Sequence, residues 1–171
     1  MSSTAPSADP APRISSGNVE ADRVLGGGFP SNSINILMGE PGTGKTLFAE
    51  QLLFANANGG RPVLYLTTLS EPLSQVVTYL QLIPFYDESK LDTAVMYDDI
   101  GELLAASGVS ALVPRVREVI LEFEPRIIVI DSFKAIHDLS PSVPEMRRLI
   151  SELAGLLSAY ETTTFLVGEY R

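Results

Sequence analysis

Gly39-Glu40-Pro41-Gly42-Thr43-Gly44-Lys45-Thr46 decides how this chain folds. The spacing G-x-x-x-x-G-K-T is that of a phosphate-binding loop. Such a loop wraps a phosphate chain with its backbone N–H groups, so side chains must stay out of the way. Gly39, Gly42 and Gly44 permit the tight backbone that aims those groups inward. Lys45 reaches the outer phosphates as a point charge, and Thr46 offers a hydroxyl to Mg²⁺. The candidate phosphate-binding set is Gly39, Glu40, Pro41, Gly42, Thr43, Gly44, Lys45, Thr46 and, where the apolar helix begins, Leu47.

The flanks supply the context the motif needs. Ser33-Ile34-Asn35-Ile36-Leu37-Met38 is an apolar run of strand length. Leu47 to Ala55 carries apolar residues at helical spacing, and Asn58-Gly59-Gly60 stops that helix. A helix starting at the loop adds its positive N-terminal dipole.

The 171 residues suggest one domain, and 45% hydrophobic residues suffice for a sizeable core. With no cysteine, disulfides and thiolate metal sites are ruled out. No apolar run approaches membrane-spanning length, and no basic segment followed by an apolar one opens the chain. We therefore expect a soluble, cytoplasmic protein with no membrane partner. The net charge of −9 and the scattering of the 12 Lys and Arg argue against nucleic acid as a partner, which would draw on a basic footprint. A nucleotide needs only the loop and one or two cations.

Met1 to Pro12, rich in Ser, Ala and Pro, reads as a disordered tail, and the domain is expected from residue 13 to 171. Gly26-Gly27-Gly28-Phe29-Pro30 forms a turn that delivers the chain to its first strand. On residues alone that turn is a surface feature. Pro62 to Thr68 and Ala94 to Tyr97 read as strands. Between them a helix runs through Gln75 to Leu80, with Ser70 as N-cap and Pro72 in its first turn. Pro84 to Asp92 reads as a loop, and Asp98-Asp99 as a solvated loop after the short strand, since adjacent acids on a strand point apart. Leu103 to Ala106 and Val113 to Glu124 are helical, the second with Val116, Val119, Ile120 and Phe123 on one face. Pro125 ends it.

Ile127-Ile128-Val129-Ile130 suits a parallel strand covered on both faces. Asp131 at its carboxyl end makes the Walker B arrangement, with Asp131 holding the Mg²⁺ water shell beside Thr46. A helix over Val143 to Tyr160 buries Met146, Leu149, Ile150, Leu153, Leu156 and Leu157. Thr162 to Glu169 is the last strand. Alternation of strand and helix implies an α/β fold, a mostly parallel sheet with helices on both faces. Ligands bind such sheets at the carboxyl strand ends. That edge collects Gly39 to Thr46, Thr68 to Glu71, Asp131 and Glu169.

Arg13-Ile14-Ser15-Ser16-Gly17, Asp22 five residues on, and Leu25-Gly26-Gly27-Gly28-Phe29-Pro30 leading to the loop resemble the start of a KaiC-like ATPase domain of the RecA superfamily. The resemblance runs from Arg13 to the end, and Glu20-Ala21 departs from the family's Gly-Leu. It implies a RecA-like P-loop NTPase fold, binding of ATP with Mg²⁺, hydrolysis to ADP, and a homo-oligomeric ring, a hexamer, in a regulatory protein with signalling partners. It also places the last strand between the loop strand and the Asp131 strand, where Glu169 could sense the γ-phosphate.

Hydrolysis needs a carboxylate that positions water in line with the γ-phosphate. The family carries two glutamates after the second strand. Counted without a gap they fall on Thr68 and Leu69, so Glu71 is the candidate catalytic base and Lys45 the catalytic cation. Glu71 also reads as a first-turn acid favouring the helix dipole. His137 and the pair Arg147-Arg148 read as surface residues. The resemblance further implies later strands beside Ser33–Met38. Without them an apolar edge stands open, so the domain is expected to be incomplete, with the family's trans-acting basic residues beyond Arg171. A Ser/Thr autokinase of the KaiC type, a non-hydrolysing nucleotide switch and a RecA-type DNA recombinase remain alternatives.

Overall fold

The computed structural model describes residues 12–58, 60–68 and 73–169. The segment read as a tail lies outside them except for Pro12, as do Ser70, Glu71 and Pro72.

Five strands form one parallel sheet: β3 (Ile34–Gly39), β4 (Val63–Thr67), β5 (Val95–Asp99), β6 (Ile127–Asp131) and β7 (Thr163–Glu169). Their order is β3-β7-β6-β4-β5. The last strand thus lies between the loop strand and the Asp131 strand, as expected. Every residue of β6 is buried, which is why its run of β-branched residues needs no polar alternation. β3 stands at one edge, with Ile36 64% and Met38 49% exposed.

Helices cover both faces. On one lie α4 (Gly101–Ser107), α5 (Leu112–Phe123), α6 (Phe133–Leu139) and α7 (Val143–Ala159), packed over Leu64, Leu66, Ile128 and Ile130. On the other, α2 (Lys45–Asn56) packs over Val63, Tyr65, Val129 and Phe165. The side chains of β4 and β6 alternate between these two layers, as strand geometry requires. α3 (Leu73–Leu80) begins just after the undescribed 69–72. Among the described residues no helix is long and apolar enough to cross a membrane.

The leading segment is more than a surface turn. β1 (Arg13–Ile14) pairs antiparallel with β2 (Phe29–Pro30), with the short helix α1 (Val19–Val24) between them. Asn18 caps α1 by accepting from the N–H groups of Glu20 and Ala21. Asp22 accepts from the Ser15 hydroxyl at 2.5 Å and the Ser16 N–H at 2.7 Å. Burial opposes its ionisation, yet these bonds outweigh it and hold its carboxyl below the usual range. Gln51 and Asn56 of α2 then donate to the carbonyls of Gly17 and Ser15, at 2.8 and 2.7 Å. Phe29 meets Phe165 edge to face at 4.9 Å. The segment therefore clamps the outer side of the helix that follows the loop.

Two further expectations need correction. Asp98 and Asp99 end β5 and are not in a loop. They do diverge: Asp98 accepts from Arg115 of α5 at 2.9 Å, and Asp99 accepts from the Gly101 N–H at 2.8 Å. Ile150 is 44% exposed, because it sits about 100° round the helix from Leu149, off the centre of the stripe. The helix α6 was not anticipated. Ser132 caps it, its hydroxyl accepting from the Ala135 N–H.

Candidate functional site

The sheet order brings the carboxyl ends of β3, β7, β6 and β4 together, and the loop between β3 and α2 folds over them. Gly42 and Gly44 have φ of +78° and +84°, which glycine adopts without strain. A Cβ at either would meet nothing within 4 Å, so the space beside the turn is open to a ligand. Gly39 is needed for a different reason. A Cβ there would lie 2.9 Å from Thr43 Oγ1. Thr43 itself donates to the Glu40 carbonyl at 2.8 Å and tightens the turn.

Lys45 Nζ donates to the same carbonyl at 2.8 Å and lies 3.9 Å from Glu169 Oε1 at the end of β7. The ammonium is thus folded back over its own loop, with one acidic neighbour at the end of β7. Thr46 Oγ1 donates to Asp131 Oδ2 at 2.7 Å. Tyr65 of β4 donates to that same oxygen at 2.6 Å. Burial and the negative charge of Asp131 push the Tyr65 phenol well above its usual range, so it remains a donor at any ordinary pH.

Beside this pair lies a second one that the sequence did not reveal. Glu50, one helical turn beyond Thr46, is 1% exposed. Its Oε2 accepts from the Tyr97 hydroxyl at 2.6 Å, while its Oε1 has no hydrogen-bond partner among the described residues. Burial, with Asp131 nearby, raises its carboxyl from 4.5 to about 8 despite the bond from Tyr97. Tyr65 and Tyr97 are register partners on β4 and β5, with ring centroids 5.5 Å apart. Two tyrosines in tilted ring contact thus each donate to one of two neighbouring carboxyls. The clue was spacing alone: Glu50 falls four residues after Thr46 and three before the buried Leu53.

The loop glycines Gly42 and Gly44 and both carboxyls line one cleft of about 570 Å³. Lys45, Thr46, Glu50, Asp131 and Glu169 form its polar wall, and Val76, Tyr79, Leu80 and Ile83 its apolar wall. Thr68, on which the ungapped count placed a glutamate, bonds instead to Ser132: its Oγ1 accepts from the Ser132 N–H at 2.8 Å. The Asp131–Ser132 peptide is cis. Glu71 lies outside the described residues. His137 is on the outer side of α6, its side chain 69% exposed, and Arg147 and Arg148 are exposed on α7. Among the described residues no cluster of three or more His, Asp or Glu forms a metal site, Asp98-Asp99 included.

The donor set suits a magnesium oligophosphate. It offers an open backbone cradle, one lysine, and a hydroxyl–carboxylate pair of hard oxygen ligands. A lone cation with no phosphate to share its coordination would find too few ligands here.

A family model described as "ATPase: KaiC" matches residues 14–171. A UPF0273 protein of Methanopyrus kandleri is 29% identical over 171 residues, covering 92% of this chain and 67% of that protein. The DNA repair protein RadA of Pseudomonas aeruginosa is 30% identical over 162 residues, covering 92% of this chain but 32% of RadA. The circadian clock oscillator protein KaiC of a Picosynechococcus strain is 28% identical, covering 86% of this chain and 30% of KaiC. The chain thus spans about a third of each of these two longer proteins. The crystal structure of a KaiC-like protein from Pyrococcus horikoshii superposes with a TM-score of 0.76 at 24% identity, covering 94% of this chain and 72% of that one. That likeness concerns the fold.

Proposed function

Because this chain belongs to the KaiC family of ATPases, we propose that it binds ATP with Mg²⁺ at the Gly39–Leu47 loop and hydrolyses it to ADP. The observation that carries this reading is the bond from Thr46 to Asp131 at 2.7 Å, directly below an open glycine cradle. The backbone N–H groups of the loop would take the phosphates, with Lys45 swinging from Glu40 and Glu169 onto the outer ones. Thr46 would ligate Mg²⁺ and Asp131 would hold its water shell. Bound Mg²⁺ supplies charge neutralisation across the β- and γ-phosphates.

Glu71 is the proposed base, since no carboxylate ends β4 beside Asp131. Glu169 is a candidate for sensing the γ-phosphate through its contact with Lys45. The family resemblance extends the proposal to assembly with further copies of the chain in a ring. The test is phosphate release from ATP by the wild type beside Glu71→Gln. Turnover in the wild type that vanishes in the variant while ATP still binds supports the assignment. Equal turnover in both moves the base elsewhere.

One observation favours a second reading. Thr68, just past the end of β4, occupies the first of the two positions, Thr68 and Leu69, where the resemblance leads one to expect glutamates. A nucleotide switch that binds without hydrolysis would show tight ATP binding and no turnover in the same assay.

A further inference from the structure

Glu50 is a buried carboxyl that the proposed chemistry does not use, and its surroundings give it a task. It sits on the polar wall of the cleft with Thr46 and Asp131. It is held from one side only. Tyr97 fixes Oε2, and Oε1 is left without a partner among the described residues. A buried acceptor with no partner costs about 1–3 kcal/mol, so its retention on a wall otherwise built for a ligand asks for a donor from that ligand. The apolar alternative was open to the fold, since Ala49, Leu52 and Leu53 around it are all fully buried.

Resting on the reading that Mg²⁺ binds at Thr46 and Asp131, we infer that Glu50 is a positioning residue of the cation shell, its Oε1 accepting a hydrogen bond from a water of that shell. Tyr97 orients Glu50 as Tyr65 orients Asp131. The two tyrosines, in tilted ring contact, tie the two carboxyls to the neighbouring strands β4 and β5. Carboxylates that act on a metal through an intermediate group, themselves held by hydrogen bonds, typically tune its affinity by about 10–100-fold. The chain would therefore hold Mg²⁺ from two sides: from β6 through Asp131 and from α2 through Thr46 and Glu50.

The experiment is calorimetric titration of ADP in the presence of Mg²⁺ and again in EDTA, on the wild type, Glu50→Gln, Glu50→Leu and Tyr97→Phe. The readout is the ratio of the two affinities, which a purely structural defect would not move. We expect Glu50→Leu to lower the ratio by about tenfold. Glu50→Gln, which keeps an acceptor oxygen but cannot ionise beside the cation, should fall between it and the wild type, as should Tyr97→Phe. Wild-type ratios in both Glu50 variants overturn the inference and leave the ATP reading intact. A wild type that binds no ADP, or binds it equally well in EDTA, overturns both. Should Glu50→Leu fail to fold, Glu50→Gln alone decides.

Discussion

Thr46 Oγ1 donates to Asp131 Oδ2 at 2.7 Å, joining the first turn of α2 to the end of β6 across 85 residues of sequence. The same carboxylate oxygen takes the Tyr65 hydroxyl. Asp131 therefore has a structural task as well as a proposed metal task, and one substitution separates them. Asp131→Asn keeps an acceptor oxygen for the two hydroxyls but removes the charge. We expect thermal unfolding to show a loss of no more than about 1–2 kcal/mol, while the gain in ADP affinity from Mg²⁺ largely disappears. Retention of that gain would remove Asp131 from the cation site.

The raised carboxyl of Glu50 makes a pH prediction. Without bound Mg²⁺ the folded protein holds this proton up to about pH 8, whereas the unfolded chain releases it near 4.5. Between those values the native state binds more protons, so stability falls as pH rises. The slope from this group approaches about 1.4 kcal/mol per pH unit and flattens above pH 8. The groups that face it, Asp131, Tyr65 and Tyr97, carry no positive charge that would favour its ionised form. Denaturant unfolding of the wild type and Glu50→Gln from pH 5 to 9 measures it. The two curves should converge at low pH, with the variant the more stable above pH 8. Parallel curves would mean that Glu50 is ionised throughout.

The leading segment predicts a contrast between two glycines. A Cβ at Gly28 would lie 2.3 Å from the Ile14 carbonyl oxygen, and its φ is +104°. Both the clash and the strain fall on backbone, so Gly28→Ala should cost about 2–4 kcal/mol and loosen the clamp on α2. A Cβ at Gly168 meets only the flexible end of Met38, at 2.6 Å from its sulfur. Gly168→Ala should cost less than about 1 kcal/mol. Chemical denaturation of both variants checks the order, and a reversed order would refute the packing described for Gly28.

Much of this architecture was legible in the sequence, and the reasons lie in particular residues. The β-branched run Ile127 to Ile130 suits a strand covered on both faces, and the loop glycines gave the strand and helix around them their context. The position of β7 followed from the resemblance. What escaped reading was what depends on pairing between distant strands. Tyr65 and Tyr97 look like ordinary strand residues until their register brings them together. Glu50 is one unremarked residue of the helix after the loop until Tyr97 of β5 reaches it. Asp98 reads as solvated because its partner, Arg115, lies 17 residues away on another element. The helix α6 was missed because seven residues give too little periodicity, although Ser132 carried a capping signal.

Binding of nucleotide at Lys45 tests the central claim most directly. Calorimetric titration of ATP with Mg²⁺ into the wild type and Lys45→Ala compares a loop with and without its one ammonium. Charge-assisted contacts to the phosphates are worth about 1.5–3 kcal/mol, so the variant should bind roughly 10–100-fold more weakly while unfolding at a temperature close to that of the wild type. Equal affinity in the two proteins, or no binding by the wild type, would contradict the account.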